Sequence, residues 1–247
     1  MSDFLKIGHR GAKAYEPENT LRSFERALKL GANAIEFDVR STEDGKIVVI
    51  HDAKLDRITN GCGYVNQWTL EKLKILDAGK GEKIPTLEEV FNGLKSCFKI
   101  FNIELKETNI QDAVLDTVRQ HGLVDSVIVS AFARDENEPG NSSTWQDLFW
   151  MKTREKNLKI ALLAEKLEFA RAAILAARQN GEVARDNPFP IHALSFSKNI
   201  VDQELMRQVR EATDCQLFVW TVNDADEIKR FKDMGVDGIF SDYPELL

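Results

Sequence analysis

Eight short β-branched runs recur along the 247-residue chain, separated by segments with helical periodicity. The runs that predict strands lie at residues 4–8, 34–39, 99–105, 127–131, 159–163, 192–196, 216–222 and 237–241. Strands that alternate with helices pair in parallel through right-handed crossovers. Eight such units in about 250 residues favour closure into a (β/α)8 TIM barrel over an open sheet. This alternation constrains the fold more than any other feature of the sequence.

The segments between the strands carry helix signals at their ends. Apolar residues at helical spacing include Leu21, Phe24 and Leu28. Thr86 with Glu89 forms a capping box, which predicts that a helix begins there. Glycines at positions where helices should end are Gly31, Gly122 and Gly235.

The alternation is interrupted once, between the second and third predicted strands. An additional short strand is predicted at residues 46–50, followed by a glycine-punctuated stretch. Apolar residues in that stretch are Tyr64, Val65, Trp68, Leu70 and Leu73. The segment is too short to fold alone. We therefore expect a single barrel domain over residues 1–247, with an inserted subdomain of about residues 52–84 at the barrel mouth.

The charge balance and the cysteines restrict the partners and the location. Lys and Arg total 33 against 40 for Asp and Glu, and this net charge of -7 disfavours nucleic acid as a partner. No stretch has the length and apolarity of a bilayer span, and a signal-peptide pattern is missing from the start, so we expect no stable membrane association. Cys62, Cys97 and Cys215 lie far apart and form no CxxC pair, which favours a cytoplasmic location. The sequence indicates no oligomeric state.

Strand parity places acidic side chains inside the barrel. In the second strand the odd-numbered positions are apolar and must face the outer helices, so Glu36 and Asp38 point inward. The third strand repeats this pattern, with Asn102, Glu104 and Lys106 facing the interior. Neighbouring strands therefore aim three carboxylates and one ammonium group at one cavity.

Such a carboxylate cluster needs a source of positive charge. Burying an ionised carboxylate costs on the order of several kcal/mol unless it is neutralised. The all-oxygen ligands of Glu36, Asp38 and Glu104 favour Mg²⁺ or Ca²⁺ over zinc. A buried salt-bridge network with Lys106 and Arg10 is the alternative interpretation. Repetition of the pattern on two adjacent strands favours the divalent cation.

Two histidines follow strand ends, where barrels place their active sites. His9 closes the first strand and His51 closes the additional one. Imidazole titrates near neutral pH, so the two residues can give and take protons around one reacting group. Arg10 is a candidate phosphate clamp, with a rim salt bridge as its alternative role. His121 ends a helix and His192 opens a strand at the opposite end of the barrel, and we interpret both as structural.

Other candidate residues lie later in the chain. Trp220 is placed near the mouth, where it could pack against a substrate carbon skeleton. Asn223 is interpreted as a helix cap rather than a ligand. The polar stretch 133–143 predicts a loop that overhangs the mouth. The apolar residues after it are Trp145, Leu148, Phe149 and Trp150. We interpret these as the buried side of a helix, whereas exposed aromatics here would suit an acyl chain.

A series of motifs in fixed order resembles the glycerophosphodiester phosphodiesterase family of bacterial and archaeal cytoplasmic type. The motifs are Gly8-His9-Arg10-Gly11, Pro17-Glu18-Asn19-Thr20, Glu36-Phe37-Asp38-Val39, His51-Asp52, Leu55-Asp56-Arg57, Ile84-Pro85-Thr86-Leu87, Asn102-Ile103-Glu104-Leu105-Lys106, Trp220-Thr221-Val222-Asn223 and Asp237-Gly238-Ile239-Phe240-Ser241-Asp242-Tyr243-Pro244. Their order and spacing over nearly the whole chain make the resemblance specific. One minor departure is Ile58, where the family often has Thr.

The resemblance implies metal-dependent hydrolysis of glycerophosphodiesters to sn-glycerol 3-phosphate and an alcohol. It implies these roles: metal ligands Glu36, Asp38 and Glu104, phosphate-binding Arg10 and Lys106, and the acid–base pair His9 and His51. In the family's proposed chemistry, one histidine deprotonates the glycerol 2-hydroxyl, which attacks phosphorus to give a cyclic phosphate. The other histidine protonates the departing alcohol, and water then opens the ring with the roles reversed.

Several functional alternatives stay open at this point. Direct attack of water on phosphorus is as compatible with the residues as the cyclic-phosphate route. Lysophospholipase D activity could use the same site with a more apolar lip. A non-catalytic phosphodiester sensor is disfavoured, because binding alone would not need two histidines placed for proton transfer.

Overall fold

Parallel strand pairing runs without a break around a closed sheet. In this computed structural model, which describes residues 4–133, 145–182 and 190–247, the strands are β1 (Leu5–His9), β2 (Ala34–Ser41), β3 (Ile47–Val49), β4 (Ile100–Leu105), β5 (Val127–Phe132), β6 (Lys159–Ala164), β7 (Ala193–Ser197), β8 (Gln216–Trp220) and β9 (Gly238–Ser241). All strands except β3 form the barrel, which closes because β1 pairs in parallel with both β2 and β9. The predicted (β/α)8 barrel is confirmed.

Helices follow the barrel strands, and their ends carry the predicted signals. They are α1 (Leu21–Lys29), α2 (Leu70–Leu73), α3 (Leu87–Leu94), α4 (Gln111–Gln120), α5 (Trp145–Arg154), α6 (Leu167–Glu182), α7 (Gln203–Ala212) and α8 (Ala225–Asp233). Helix α3 begins with the reciprocal capping box of Thr86 and Glu89. Gly31, Gly122 and Gly235 have φ values of 94°, 67° and 85°. They adopt the left-handed conformation that ends helices without a steric penalty for glycine.

The barrel interior has an apolar zone and a polar zone. Ile35, Phe37 and Val39 are fully buried in the large core that β2 shares with the helices, as strand parity predicts. The inward residues at the amino-terminal side of the strands form a second apolar cluster. Its members are Leu5, Ile7, Ala34, Ile100, Ile128, Ala161, Ala193, Phe218 and Phe240. This cluster fills the barrel from below, so the inward polar side chains lie at the carboxyl ends of the strands.

Strand β2 extends beyond its predicted end and carries the inserted segment. It continues to Ser41 because β3 pairs with it antiparallel, with Val39 opposite Val49 and Ser41 opposite Ile47. Residues 52–84, named the inserted lobe, contain α2 and a 3₁₀ turn at Val65–Gln67. A separate apolar cluster joins this lobe to β3. It comprises Val48, Ile50, Leu55, Val65, Leu73, Ala78 and Ile84.

Two predictions near the carboxyl terminus are wrong in detail. Strand β8 ends at Trp220 rather than at residue 222, although the N–H of Val222 still donates to the carbonyl of Phe240 in β9 at 2.9 Å. Asn223 does not cap α8. The next residue, Asp224, is the cap, and its carboxylate accepts hydrogen bonds from the second and third N–H groups of the helix.

The aromatic side chains of α5 pack onto the barrel. Leu148 is fully buried, and Trp145, Phe149 and Trp150 are partly buried against the large core, as predicted for the inner side of a helix. The predicted mouth loop at 133–143 lies, apart from its first residue, outside the described residues. Among the helices that the structure describes, none combines the length and apolarity of a membrane span.

His121 and His192 lie away from the strand ends that carry the other histidines. His121 terminates α4, where its Nδ1 donates to the carbonyl of Thr117 at 2.9 Å. His192 immediately precedes β7, at the opposite end of the barrel. Burial lowers the pKa of His192 to about 4, and the nearby Lys159 acts in the same direction. His192 is therefore neutral in the folded protein at pH 7.

Replacing His192 with Gln should change how stability depends on pH. The folded-state pKa of His192 lies below its unfolded value of about 6.5, so its neutral form contributes stability that is lost as pH falls from about 6.5 to about 4. The melting temperature of H192Q, measured relative to wild type, should therefore rise progressively over this interval. The change of an exposed residue that does not titrate, Q67N, is the control and should show a constant difference. Parallel curves for H192Q and wild type would contradict the prediction.

Candidate active site

Two adjacent strands, β2 and β4, bring three carboxylates together. In their parallel register Asp38 lies opposite Glu104, and Glu36 lies opposite Asn102. One carboxylate oxygen from each of Glu36, Asp38 and Glu104 lies within 4.8 Å of the others. The Asp38 side chain is 1% exposed and that of Glu104 is 13% exposed. The convergence predicted from strand parity is present, and we call these three residues the carboxylate cluster.

Two cations contact the carboxylate cluster. Nζ of Lys106 donates to Glu104 and lies 3.5 Å from Oδ1 of Asp38. Nε of Arg10 lies 3.2 Å from Oδ2 of Asp38, and the backbone N–H of Arg10 donates to Oε2 of Glu36 at 3.0 Å. The salt-bridge network that the sequence left as an alternative therefore exists, but in it three carboxylates face two cations.

This excess of carboxylates over cations shifts the pKa values of Glu36 and Asp38 in opposite directions. Burial, followed by repulsion from Asp38 and Glu104, raises the pKa of Glu36 well above its usual range. Burial also acts to raise the pKa of Asp38, but the charges of Arg10, His51 and Lys106 together outweigh it and hold that pKa well below its usual range. Glu36 is the carboxylate that would take up a proton unless further positive charge binds beside it.

Buried oxygen atoms without hydrogen-bond partners remain beside the carboxylate cluster. Oδ1 of Asp38 and Oδ1 of Asn102 are both of this kind. Leaving a buried acceptor unpaired costs about 1–3 kcal/mol, and a divalent cation would provide the missing contact as well as the missing charge. Carboxylate and amide oxygens suit Mg²⁺ or Ca²⁺ rather than zinc. The residues at this position therefore fit a divalent metal ion.

His9 ends β1 and is held by Asp242, which follows β9. Nδ1 of His9 donates to Oδ1 of Asp242 at 2.6 Å, since an ionised carboxylate can only accept. The other ring nitrogen, Nε2, then carries a lone pair, and it lies 4.0 Å from Oε2 of Glu36. Burial lowers the pKa of His9, and the hydrogen bond that His9 donates to Asp242 offsets this only in part. His9 is thus neutral at pH 7, with Nε2 able to accept a proton.

His51 follows β3 and has the same arrangement on its ring. Its Nδ1 donates to Oδ1 of Asp52 at 2.7 Å, which leaves Nε2 as the available nitrogen. The backbone carbonyl of His51 accepts a hydrogen bond from Nε of Arg40 at 2.8 Å. Arg40 is only 2% exposed, so this contact fixes the backbone of His51 from inside the protein.

Asn223 holds the carboxylate of Asp242 and does not cap a helix. Its Nδ2 donates to Oδ2 of Asp242 at 2.8 Å, and its Oδ1 accepts from the backbone N–H of Asp242 at 2.9 Å. Oγ of Ser241 donates to the same Oδ1 at 3.1 Å. Both carboxylate oxygens of Asp242 are therefore engaged, one by Asn223 and one by His9, and the orientation of the imidazole is fixed.

A cavity of about 170 Å³ joins these groups. Its lining residues are His9, Arg10, Glu36, His51, Asn102, Glu104, Lys106, Phe132, Leu163, Trp220, Thr221 and Phe240. All eight predicted site residues meet here, since Asp38 joins the lining set through its contacts with Arg10 and Lys106. Trp220 contacts Phe132 edge-on, with ring centroids 5.6 Å apart. One wall is charged and the other is apolar, which suits a small phosphorylated molecule with a carbon skeleton.

A larger surface groove, of about 780 Å³, lies between α7 and α8. The residues described as lining it include no histidine, and its basic groups pair with neighbouring acids. Arg207 pairs with Glu204 and Glu211, and Lys229 pairs with Asp233. Its size alone does not make it a candidate for catalysis.

Sequence reasoning assigned no role to several polar residues that support the site. Asp52 and Asp242 orient the two imidazoles, and Nδ2 of Asn19 donates to Oδ2 of Asp38 at 2.9 Å. Glu18 and Arg57 contact each other and the residues around them. The sequence offered a signal for Asp52 and Asp242, because Asp52 directly follows His51 and Asp242 directly follows the last strand.

Phosphate suits this mouth, because two cations and a carboxylate cluster that fits a divalent metal ion lie beside two imidazoles. The fold and the site together define the class of a β/α-barrel hydrolase of phosphate esters. The model of the glycerophosphoryl diester phosphodiesterase family matches residues 9–246. The chain belongs to this family, whose members are phosphoric diester hydrolases.

Individual relatives agree over nearly the full chain. A glycerophosphodiester phosphodiesterase from Caldanaerobacter subterraneus subsp. tengcongensis is 36% identical over 255 residues, which cover 98% of this chain and 96% of the relative. A phosphodiesterase from Oleispira antarctica, solved in complex with the product sn-glycerol-3-phosphate, superposes with a TM-score of 0.80 at 25% identity, covering 97% of this chain and 93% of that chain. For a glycerophosphodiester phosphodiesterase from Thermotoga maritima the TM-score is 0.76 at 29% identity, over 100% and 98% of the two chains.

In the absence of metal, replacing Glu36 with Gln should stabilise the protein at pH 7. The folded-state pKa of Glu36 is raised above its ordinary 4.5, so its contribution to stability is present below that pH and is lost as pH rises. E36Q should therefore melt at a higher temperature than wild type in EDTA. With saturating Mg²⁺ or Ca²⁺ the order should reverse, because the variant has lost a ligand.

The exposed Glu25 offers a matched control for this comparison. E25Q should have the same melting temperature as wild type, both in EDTA and with saturating Mg²⁺ or Ca²⁺. Equal melting temperatures for E36Q and E25Q in EDTA would show that the carboxylate cluster carries no repulsion.

Proposed function

We propose that the protein hydrolyses glycerophosphodiesters to sn-glycerol 3-phosphate and an alcohol, with one divalent ion, Mg²⁺ or Ca²⁺, bound by Glu36, Asp38 and Glu104. The observation that carries this proposal is the convergence of two carboxylate-oriented imidazoles on one cavity beside the carboxylate cluster. The product complex of the Oleispira antarctica relative supports the assignment of substrate class.

The charged wall of the cavity accounts for binding of the phosphodiester. A bound divalent ion supplies Lewis acidity, which polarises a phosphoryl oxygen and stabilises charge in the transition state. Arg10 and Lys106 both line the cavity and direct positive charge toward the remaining phosphate oxygens. Trp220, with Phe132, forms the apolar wall that would hold the glycerol carbons.

His9 and His51 carry the two proton transfers. One imidazole accepts the proton of the attacking hydroxyl, and the other gives its proton to the departing alkoxide, so the alcohol leaves neutral. The attacking hydroxyl is either the glycerol 2-hydroxyl, which gives a cyclic phosphate, or water, which gives the product directly. In the cyclic route water opens the ring in a second step with the two roles exchanged. Asp242 and Asp52 hold Nδ1 of the two rings, so that Nε2 is the transferring nitrogen, with a lone pair on the imidazole that acts as the base and a proton on the imidazole that acts as the acid.

Water-soluble diesters fit the cavity better than lysophospholipids. Trp145, Phe149 and Trp150 pack against the large core, so only a part of each side chain is exposed for contact with an acyl chain. The described walls enclose about 170 Å³, which suits a glycerophosphoryl group rather than a lipid tail. These observations favour substrates such as glycerophosphocholine over lysophospholipids.

The remaining chain-level properties belong to the same proposal. We place the whole activity in one barrel domain, with the inserted lobe as part of it. The free cysteines Cys62, Cys97 and Cys215 support a reducing compartment such as the cytoplasm. The net charge of -7 supports a small-molecule partner rather than a nucleic acid.

Removal of metal should abolish turnover of glycerophosphocholine, and addition of Mg²⁺ or Ca²⁺ should restore it. The product sn-glycerol 3-phosphate is measured with each metal, in parallel with lysophosphatidylcholine as the competing substrate. We expect turnover of the soluble diester to exceed that of the lysophospholipid. Full activity after exhaustive chelation contradicts the metal role, and preference for the lysophospholipid contradicts the substrate class.

H9A and H51A should each reduce kcat by about 100-fold or more, because a positioned acid or base contributes roughly that much. The melting temperature should stay close to that of wild type, since both side chains line a cavity. H121A, at the end of α4, is the control and should keep its activity. If a variant keeps a kcat within tenfold of that of wild type, the replaced histidine has no part in the mechanism.

A further inference from the structure

An unbroken series of ion pairs links Arg10 to the imidazole of His51. Nη1 of Arg10 donates to Oε1 of Glu18 at 2.9 Å. Arg57 donates to both oxygens of Glu18, at 2.9 and 2.8 Å. Arg57 also donates to both oxygens of Asp52, at 2.6 and 3.0 Å, and Asp52 accepts from Nδ1 of His51. We call this series the ion-pair chain.

The guanidinium of Arg57 fixes the middle of the ion-pair chain. Its Nε and Nη2 atoms face Asp52, while its Nη1 and Nη2 atoms face Glu18. Two forked contacts to two carboxylates define a single orientation of a planar group. A lysine ammonium is a point donor on a flexible stem and cannot reproduce this geometry. Arg57 therefore sets the distance between the two carboxylates.

Both carboxylates of the ion-pair chain, Glu18 and Asp52, are ionised at neutral pH. Burial acts to raise the pKa of Glu18, but hydrogen bonds and charge from Arg57 and Arg10 outweigh it and lower the pKa to about 2. The pKa of Asp52 is also lowered to about 2, because Arg57 and His51 outweigh its burial. The side chain of Glu18 is 8% exposed, whereas that of Arg57 is 48% exposed. An exposed cation of this kind contributes little to stability on its own, so its effect should lie in geometry.

We propose that Glu18 and Arg57 are positioning residues for the hydrolysis proposed above, on which this inference rests, and that they hold Arg10 and His51 in a fixed relation across the mouth. Neither residue is among the described lining of the cavity. Glu18 acts through Arg10, which lines the cavity. Arg57 acts through Asp52, which orients the lining residue His51.

The two ends of the ion-pair chain have different tasks. Glu18 holds Nη1 of Arg10 at a position away from the carboxylate cluster, while Nε stays 3.2 Å from Asp38. Without Glu18, the attraction of the carboxylate cluster for Arg10 is unopposed, and the guanidinium is less available to phosphate. Arg57 holds Asp52, and Asp52 sets the tautomer and orientation of His51. A misplacement of about 1 Å at a reacting group can cost roughly 100-fold in rate.

The same residues also join the inserted lobe to the barrel, so a docking role must be separated from a positioning role. Glu18 lies between β1 and α1, and Arg57 lies in the inserted lobe. A second contact crosses the same boundary, where Nζ of Lys80 donates to the carbonyl of Tyr15 at 2.6 Å and to Oε2 of Glu16 at 2.9 Å. Lys80 is similarly exposed, at 51%, and these contacts do not belong to the ion-pair chain. It is a matched control for docking alone.

The test compares R57K, R57M, E18Q and K80M in the full-length, metal-loaded protein. For each, kcat and KM on glycerophosphocholine, the Kd of sn-glycerol 3-phosphate and the melting temperature are measured. R57K and R57M should each lose about 10- to 100-fold in kcat/KM, as found when residues that orient a reactive group are removed. For R57K the loss should fall mainly on kcat. E18Q should raise KM and the Kd of the product more than it lowers kcat, while K80M should stay within about twofold of wild type even if its melting temperature falls.

A double-mutant cycle adds a readout that a structural role would not produce. The losses of E18Q and D52N should be non-additive when Arg57 is present and additive in an R57M background, because Arg57 is the only link between them in the ion-pair chain. R57K and E18Q keep side-chain volume, so they carry the test if R57M does not fold.

Each outcome decides between two hypotheses. Wild-type kinetics in R57K, or equal catalytic losses in K80M and R57K, would overturn the positioning role while leaving the proposed function intact. A wild-type protein that turns over no glycerophosphodiester would overturn the proposed function and the positioning role together.

Discussion

An excess of buried negative charge at one end of the barrel is the constraint that organises this protein. Three carboxylates converge within 4.8 Å of one another on two neighbouring strands. Lys106 and Arg10 compensate part of this charge, and the raised pKa of Glu36 shows that the compensation is incomplete. The apolar cluster below excludes water from that side, so a cation must come from the mouth. This deficit of positive charge is what makes the carboxylate cluster fit a divalent cation.

Closure of the barrel also completes one of the two histidine–carboxylate pairs. His9 stands at the end of the first strand, and its carboxylate partner Asp242 directly follows the last strand. Pairing of β1 with β9 therefore assembles a histidine–carboxylate pair from the two ends of the chain. The second pair, His51 and Asp52, is local in sequence but is anchored by Arg57 of the inserted lobe. The orientation of His9 thus depends on closure of the barrel, and the orientation of His51 depends on the inserted lobe.

Local patterns predicted much of this structure. Periodicity identified the strands, and alternation within β2 and β4 placed Glu36, Asp38 and Glu104 inside, because both signals repeat every two residues and need no knowledge of distant contacts. The resemblance to a family, rather than the pattern, assigned phosphate to Lys106. The cap at Asp224 was misplaced by one residue, since adjacent Asn and Asp are both competent caps. The contact of Glu18 with Arg57 joins two loops, whose approach no local periodicity encodes.

The hairpin between β2 and β3 has a consequence for how such a chain can diversify. The inserted lobe follows β3, which pairs with the last residues of β2, whereas the two acids of β2 lie earlier, in the part that pairs with β4. An insertion or deletion after β3 leaves the alternation of β2 intact, whereas one extra residue inside β2 would turn both acids outward. Variation in length can therefore accumulate in the parts of the lobe away from Arg57, while β2 tolerates no insertion that shifts its alternation.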